Sequence, residues 1–103
     1  MINRILKLVR QYNTMTQTEL SEKLGISKSY LSEIESGKKI VSLDLLEKYS
    51  VVYDIPVSSL IFFSESLGKK DGIPERFRNM FTGKVLNFME WILDKNEAKK
   101  IQA

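Results

Sequence analysis

The 103-residue chain has no cysteine and no histidine. Without cysteine there are no disulfides and no thiolate chemistry, and a reducing compartment is compatible. The two absences together remove the usual zinc ligands and the commonest general base, so neither a cofactor nor a metal is expected. Prolines and glycines are few, at two and five, and the composition is that of a soluble globular protein. Long apolar runs are missing too. None approaches the length that spans a bilayer. The start, MINRILKLVRQYN, is interrupted by Arg4, Lys7 and Arg10 where a signal peptide would carry an unbroken apolar core. A cytoplasmic protein with no membrane partner is expected.

Charge is not gathered in one place. The net charge is +3 and the pI about 9.2, which suits an anionic partner. Residues 1–60 carry 8 basic and 7 acidic side chains, and residues 61–103 carry 8 and 6. There is no polybasic tail, so affinity for an anion has to come from a few well-placed cations.

Helical periodicity runs through the chain and no credible strand appears. Ile2, Ile5, Leu6 and Val9 mark one face of a first helix ending near Tyr12-Asn13-Thr14. Thr16 and Glu19 form a capping box that opens a short helix from Gln17 to about Leu24, where Gly25 stops it. Ser27 caps a third helix that runs to about Ser36, with Gly37 at its end. Ser42 caps a fourth, broken by Asp54-Ile55-Pro56, and a fifth runs from Val57 to about Phe63. Residues 64–73, SESLGKKDGI, read as a linker. Pro74 opens a last helix to about Asp94, and KNEAKKIQA is expected to fray. The predicted organisation is a first domain over 1–63, a linker over 64–73 and a C-terminal helix within 74–103.

The stretch from Gln17 to Ile34 is the informative one. Two short helices crossing steeply about a three-residue turn need apolar residues where the pair meets the rest of the domain. Leu20, Leu24, Ile26, Leu31 and Ile34 supply them. Ser21 is the small residue needed where the helices pass, and Gly25 the glycine needed in the turn.

QTELSEKLGISKSYLSEIESGKKIVSLDLLEKYSVVYDIPVSSL resembles the Cro/C1-type (XRE-type) helix-turn-helix family of phage repressors and bacterial regulators. The resemblance covers about residues 2–63 and rests on Q-x-x-L-(small)-x-x-x-G-I-S followed by S-x-I-E-x-G. Ser21 replaces the family's usual alanine, and Val41 stands where proline is frequent. The resemblance implies an all-α, lambda-repressor-like bundle of five helices, here with an additional C-terminal helix. It also implies a double-stranded DNA partner, an inverted-repeat operator and transcription regulation, with the third helix in the major groove.

Carried over position by position, the resemblance makes Lys28, Ser29, Ser32 and Glu33 candidates for base contacts, opposite the buried Leu31 and Ile34. Lys28 can donate to guanine O6 and N7, and Glu33 can accept from cytosine N4. On an ordinary exposed helix the same two residues would be solvated or paired with each other. Gln17 matches a phosphate-holding position at the start of the second helix, and Ser36, Lys38 and Lys39 match a second phosphate clamp. Tyr30 has two possible roles, a phosphate contact through its hydroxyl or packing at the core's edge. Arg10 and Glu35 match a pair that is ionic in some relatives, which makes Glu35 structural.

In the C-terminal helix the apolar residues form two stripes, Phe81, Val85, Phe88 and Ile92 beside Leu86, Met89 and Leu93. One docked face needs only a single stripe. The excess points to a second copy of the chain, with Phe81, Val85, Phe88 and Ile92 as the dimer residues. The other reading is a monomer whose domain packs around this helix. An antitoxin, or another module whose main partner is a protein, is the competing function and would use the same helix. No residue cluster organises catalysis and no small-molecule ligand is evident.

Overall fold

Three of the helices begin where a hydroxyl side chain accepts from a backbone amide. In the computed structural model, which describes residues 2–66 and 83–102, the helices are α1 (Ile2–Tyr12), α2 (Gln17–Leu24), α3 (Lys28–Glu35), α4 (Leu43–Tyr53) and α5 (Val57–Ser66); α6 (Gly83–Gln102) follows. The caps are those the sequence predicts. Thr16 and Glu19 make both halves of a capping box, Ser27 accepts from the amide of Tyr30 and Ser42 from that of Leu45. Asp54 ends α4 in the left-handed region, at φ 54°, a conformation that a short acidic side chain tolerates. Among the described residues all regular structure is helical, and no helix is long and apolar enough to cross a membrane.

Two boundaries differ from the sequence reading. The fifth helix continues through Ser64 and Glu65 to Ser66, so the linker cannot begin at 64. Ser64 is accommodated because its hydroxyl donates back to the carbonyl of Ile61 at 2.8 Å. The last helix passes Asp94 and ends at Gln102. The tail expected to fray is rich in Lys, Glu, Ala and Gln, and these are good helix formers without any tertiary support. The expected start at Pro74, and linker residues 67–73, lie outside the described residues.

Helix α1 is the hub. Its Ile5, Leu6, Leu8 and Val9 are buried, and it packs against α3, α5 and α6, while α2 packs against α3 and α4. Val85, Phe88, Met89 and Ile92 of α6 join the same core as Leu20, Leu31, Leu60 and Phe63. Rings make the junction. Tyr12 lies 5.2 Å from Phe88 and 5.3 Å from Trp91, and Phe63 meets Phe88 edge-on at 5.6 Å. This corrects the expected dimer face. Val85, Phe88 and Ile92 are 2%, 1% and 1% exposed within their own chain and offer no surface to a second copy. Phe81 lies outside the described residues.

Two buried phenols give the fold a pH limit. Tyr49 and Tyr53 stack at a tilt 6.2 Å apart. The Tyr53 hydroxyl donates to the sulfur of Met15 at 3.4 Å, and that of Tyr49 has no hydrogen-bond partner among the described residues. Burial pushes both pKa values up, that of Tyr53 to about 12 and that of Tyr49 further. The unfolded chain releases these protons from about pH 10, whereas the folded chain still holds them. Stability is therefore undiminished by these groups below pH 10 and falls as pH rises from about 10 to 12. Thermal melts across that window are expected to show the decline. Tyr49→Phe should weaken the decline and raise stability near neutrality by about 1 kcal/mol, because it removes a buried hydroxyl without a partner.

Candidate nucleic-acid interface

The turn between α2 and α3 is built from Gly25, Ile26 and Ser27. Gly25 takes φ +71° and sends its amide to the carbonyl of Glu22 at 3.2 Å, and the Ile26 amide closes on Ser21 at 3.0 Å. A Cβ at Gly25 would meet open space, so the demand for glycine comes from the backbone conformation alone. Beneath the turn Leu20, Leu24, Leu31 and Ile34 are buried and Ile26 is half-buried. Ser21 is buried as well, and its hydroxyl donates to the carbonyl of Thr18 at 2.8 Å. That bond explains how serine serves where alanine is usual.

With Leu31 and Ile34 facing inward, α3 turns Lys28, Ser29 and Ser32 to solvent, and Glu33 and Tyr30 are half-exposed. Glu33 is not solitary, since its carboxylate stands 4.0 Å from the ammonium of Lys39. Past the helix, Gly37 takes φ +83°, and the amides of Lys38 and Lys39 both donate to the carbonyl of Glu33, at 2.9 and 3.3 Å. Two exposed lysines are thus tied by their backbone to the end of α3. Ser36 gives its hydroxyl proton to the same carbonyl at 3.1 Å.

A buried polar network fixes α3 against α1 and α2. The Arg10 guanidinium donates to both carboxylate oxygens of Glu35, from Nε at 2.7 Å and from Nη2 at 2.9 Å, and its Nη1 donates to the carbonyl of Met15 at 2.9 Å. The hydrogen bonding to Glu35 raises the Arg10 pKa against the opposing effect of burial. Gln17 donates from Nε2 to Glu35 at 3.1 Å. Part of the side chain that the sequence assigned to a phosphate is therefore spent inside the protein. Asn3 escaped sequence reasoning. Its amide donates to the carbonyl of Glu35 at 3.3 Å, and it packs where a Cβ on Gly37 would come within 3.2 Å. The available signal was its spacing, seven residues before Arg10 and so on the same face of α1.

A helix-turn-helix family model matches residues 6–60, more than half of the chain. The chain belongs to the Cro/C1-type helix-turn-helix family. Curated relatives share this segment. The HTH-type transcriptional regulator SinR of Bacillus subtilis is 40% identical over 62 residues, 59% of this chain and 56% of the regulator. The immunity repressor protein of Bacillus phage phi105 is 33% identical over 60 residues, 58% of this chain and 42% of the repressor. Control protein C.MunI of Mycoplasma sp is 34% identical over 58 residues, 56% and 78% of the two chains. The match to SinR spans little more than half of that relative's length. No solved structure gives a significant match. Helix α6 lies beyond the segment that the family model covers.

Proposed function

We propose that the protein is a sequence-specific DNA-binding transcriptional regulator that reads an operator through α3 in the major groove. The observation that carries this is the two-sidedness of α3. One face is buried to the last atom of Leu31 and Ile34, and the other presents Lys28, Ser29 and Ser32 beside Glu33. The N-terminal residues of a recognition helix are those that reach base edges, and Lys28 is the first residue of α3. Lys38 and Lys39, with Gln17 and Ser36 flanking, supply phosphate contacts that set register without reading sequence. Tyr30 is half-exposed and packs against the core, and its hydroxyl is proposed as a further phosphate contact. The regulators, repressor and control protein named among the relatives favour the same reading. No enzymatic activity is proposed.

One such module covers too few base pairs to define a unique site, so we propose a two-fold dimer on an inverted repeat with half-sites about 34 Å apart. The competing function, a module whose main partner is a protein, needed the apolar stripe of α6 as its docking surface. Val85, Phe88, Met89 and Ile92 are used within the chain instead.

Selection of binding sites from random duplexes tests the proposal. A defined inverted repeat is expected. Lys28→Ala should then cost about 1–3 kcal/mol and relax preference at one base pair in each half-site. Lys38→Ala should weaken all duplexes alike and lower the slope of log affinity against log salt by about one. If Lys28→Ala left the selected preferences unchanged, α3 would not be the reading element.

A further inference from the structure

We propose that the outward face of α4 is the surface on which a second copy of this chain docks, the two α4 helices running antiparallel about a two-fold axis between Glu47 and Lys48. The inference rests on the dimer reading above and supplies the contact that α6 cannot.

The apolar pattern comes first. Among the described residues the exposed large hydrophobics are Ile40, Leu43, Val51 and Ile61, and the first three lie together on α4 and the segment leading into it. Ile40 is 93% exposed, Leu43 61% and Val51 83%. Single exposed apolar side chains are ordinary. A cluster at one edge that includes two residues on a shared helix face is not scatter: Leu43, Glu47 and Val51 follow one another at four-residue spacing.

Charge then selects the occupant. Between the apolar ends stand Glu47 and Lys48, both exposed, with Lys48 3.9 Å from Asp44 one turn earlier. A two-fold contact must be complementary to itself. Antiparallel pairing about the 47–48 bond meets that condition. It sets Glu47 against the second copy's Lys48 and Lys48 against the second copy's Glu47, and brings Leu43 towards the second copy's Val51 and Val52. Each lysine then lies between its own Asp44 and a glutamate from the other copy. An eleven-residue helix is a short seam, below the area of a standard stable interface, so the contact acts chiefly when two copies sit side by side on DNA.

The test compares binding to a selected two-half-site duplex with binding to a single half-site. The parent is expected to gain about a hundredfold from the second half-site. Val51→Glu places a charge at a position already exposed, so it should keep the melting behaviour and half-site affinity of the parent while losing nearly all of that gain. Glu47→Lys should lose it by like-charge repulsion, and the double variant E47K/K48E should recover it, because the swapped charges attract again. A Val51→Glu variant with its gain intact would overturn the α4 assignment alone and leave the dimer standing. A parent with no gain would remove the dimer reading and this surface together. If no duplex is selected at all, sedimentation of the free chain decides: a self-associating parent that Val51→Glu dissociates keeps the surface, and any other result rejects it.

Discussion

Replacing Arg10 with alanine is expected to destabilise the protein by about 3–5 kcal/mol, the range found when one member of a buried ion pair is removed. As a pair at the surface it would contribute less than about 1 kcal/mol, which is what the sequence alone suggests for two charged residues 25 positions apart. Burial changes the magnitude. The side chains of Arg10 and Glu35 are 12% and 3% exposed, and Arg10 supplies two of the three hydrogen bonds to the Glu35 carboxylate given above. Alanine would leave that carboxylate to Gln17 alone, in a place water does not easily reach. The size of the effect is a penalty for stranding Glu35 rather than the net worth of the pair. A double variant, Arg10→Met with Glu35→Leu, should therefore recover most of the loss. Denaturant titration of the single and double variants separates the two: a single variant within 1 kcal/mol of the parent would show that the network contributes little.

Phe88→Ala is expected to cost a similar amount, about 3–5 kcal/mol, although Phe88 lies outside the family-matched segment. The ring is 1% exposed and touches Tyr12, Phe63 and Trp91. Small domains are stable by only about 5–15 kcal/mol. Ending the chain after Gly72 removes Val85, Met89 and Ile92 as well as Phe88 and leaves the ring faces of Tyr12 and Phe63 in water. The shortened protein is expected to lose its cooperative thermal transition at temperatures where the full chain is folded. The sequence reading, with the first five helices carrying a core of their own, expects the opposite. Circular dichroism melts of the two proteins distinguish the cases: coincident curves would restore the separate domain.

Local chemistry was legible and long-range partnership was not. Thr16, Ser27, Ser42 and Gly25 act on backbone groups within four residues of themselves, so spacing alone identifies them. Leu20, Leu31 and Ile34 are readable for a related reason, since helical phase places them on one side. The two stripes of α6 show the limit. Periodicity reveals that a helix is apolar on more than one side, but not whether α1 and α5 or a second copy covers each side. The same limit applied at Gln17, whose amide faces either outward or towards Glu35 from the same sequence position. It applied again at Asn3, whose partner is a carbonyl 32 residues away.

The seating of α6 bears on how freely the helix-turn-helix module can be exchanged between proteins. The family segment ends at residue 60, yet Tyr12 within it and Phe63 just beyond it form the wall against which Phe88 lies. Grafting the first sixty residues of a relative onto this C-terminus would keep Phe63 but replace Tyr12, setting α6 against a wall only partly its own. Tyr12, Phe63 and Phe88 consequently form one unit of inheritance, in which a change at any one position narrows what the other two can become. The residues proposed to read bases on α3 are bound by no such constraint. Lys28, Ser29 and Ser32 have their side chains in solvent, so on the proposed reading binding preference can drift quickly on a frame whose aromatic joint changes slowly.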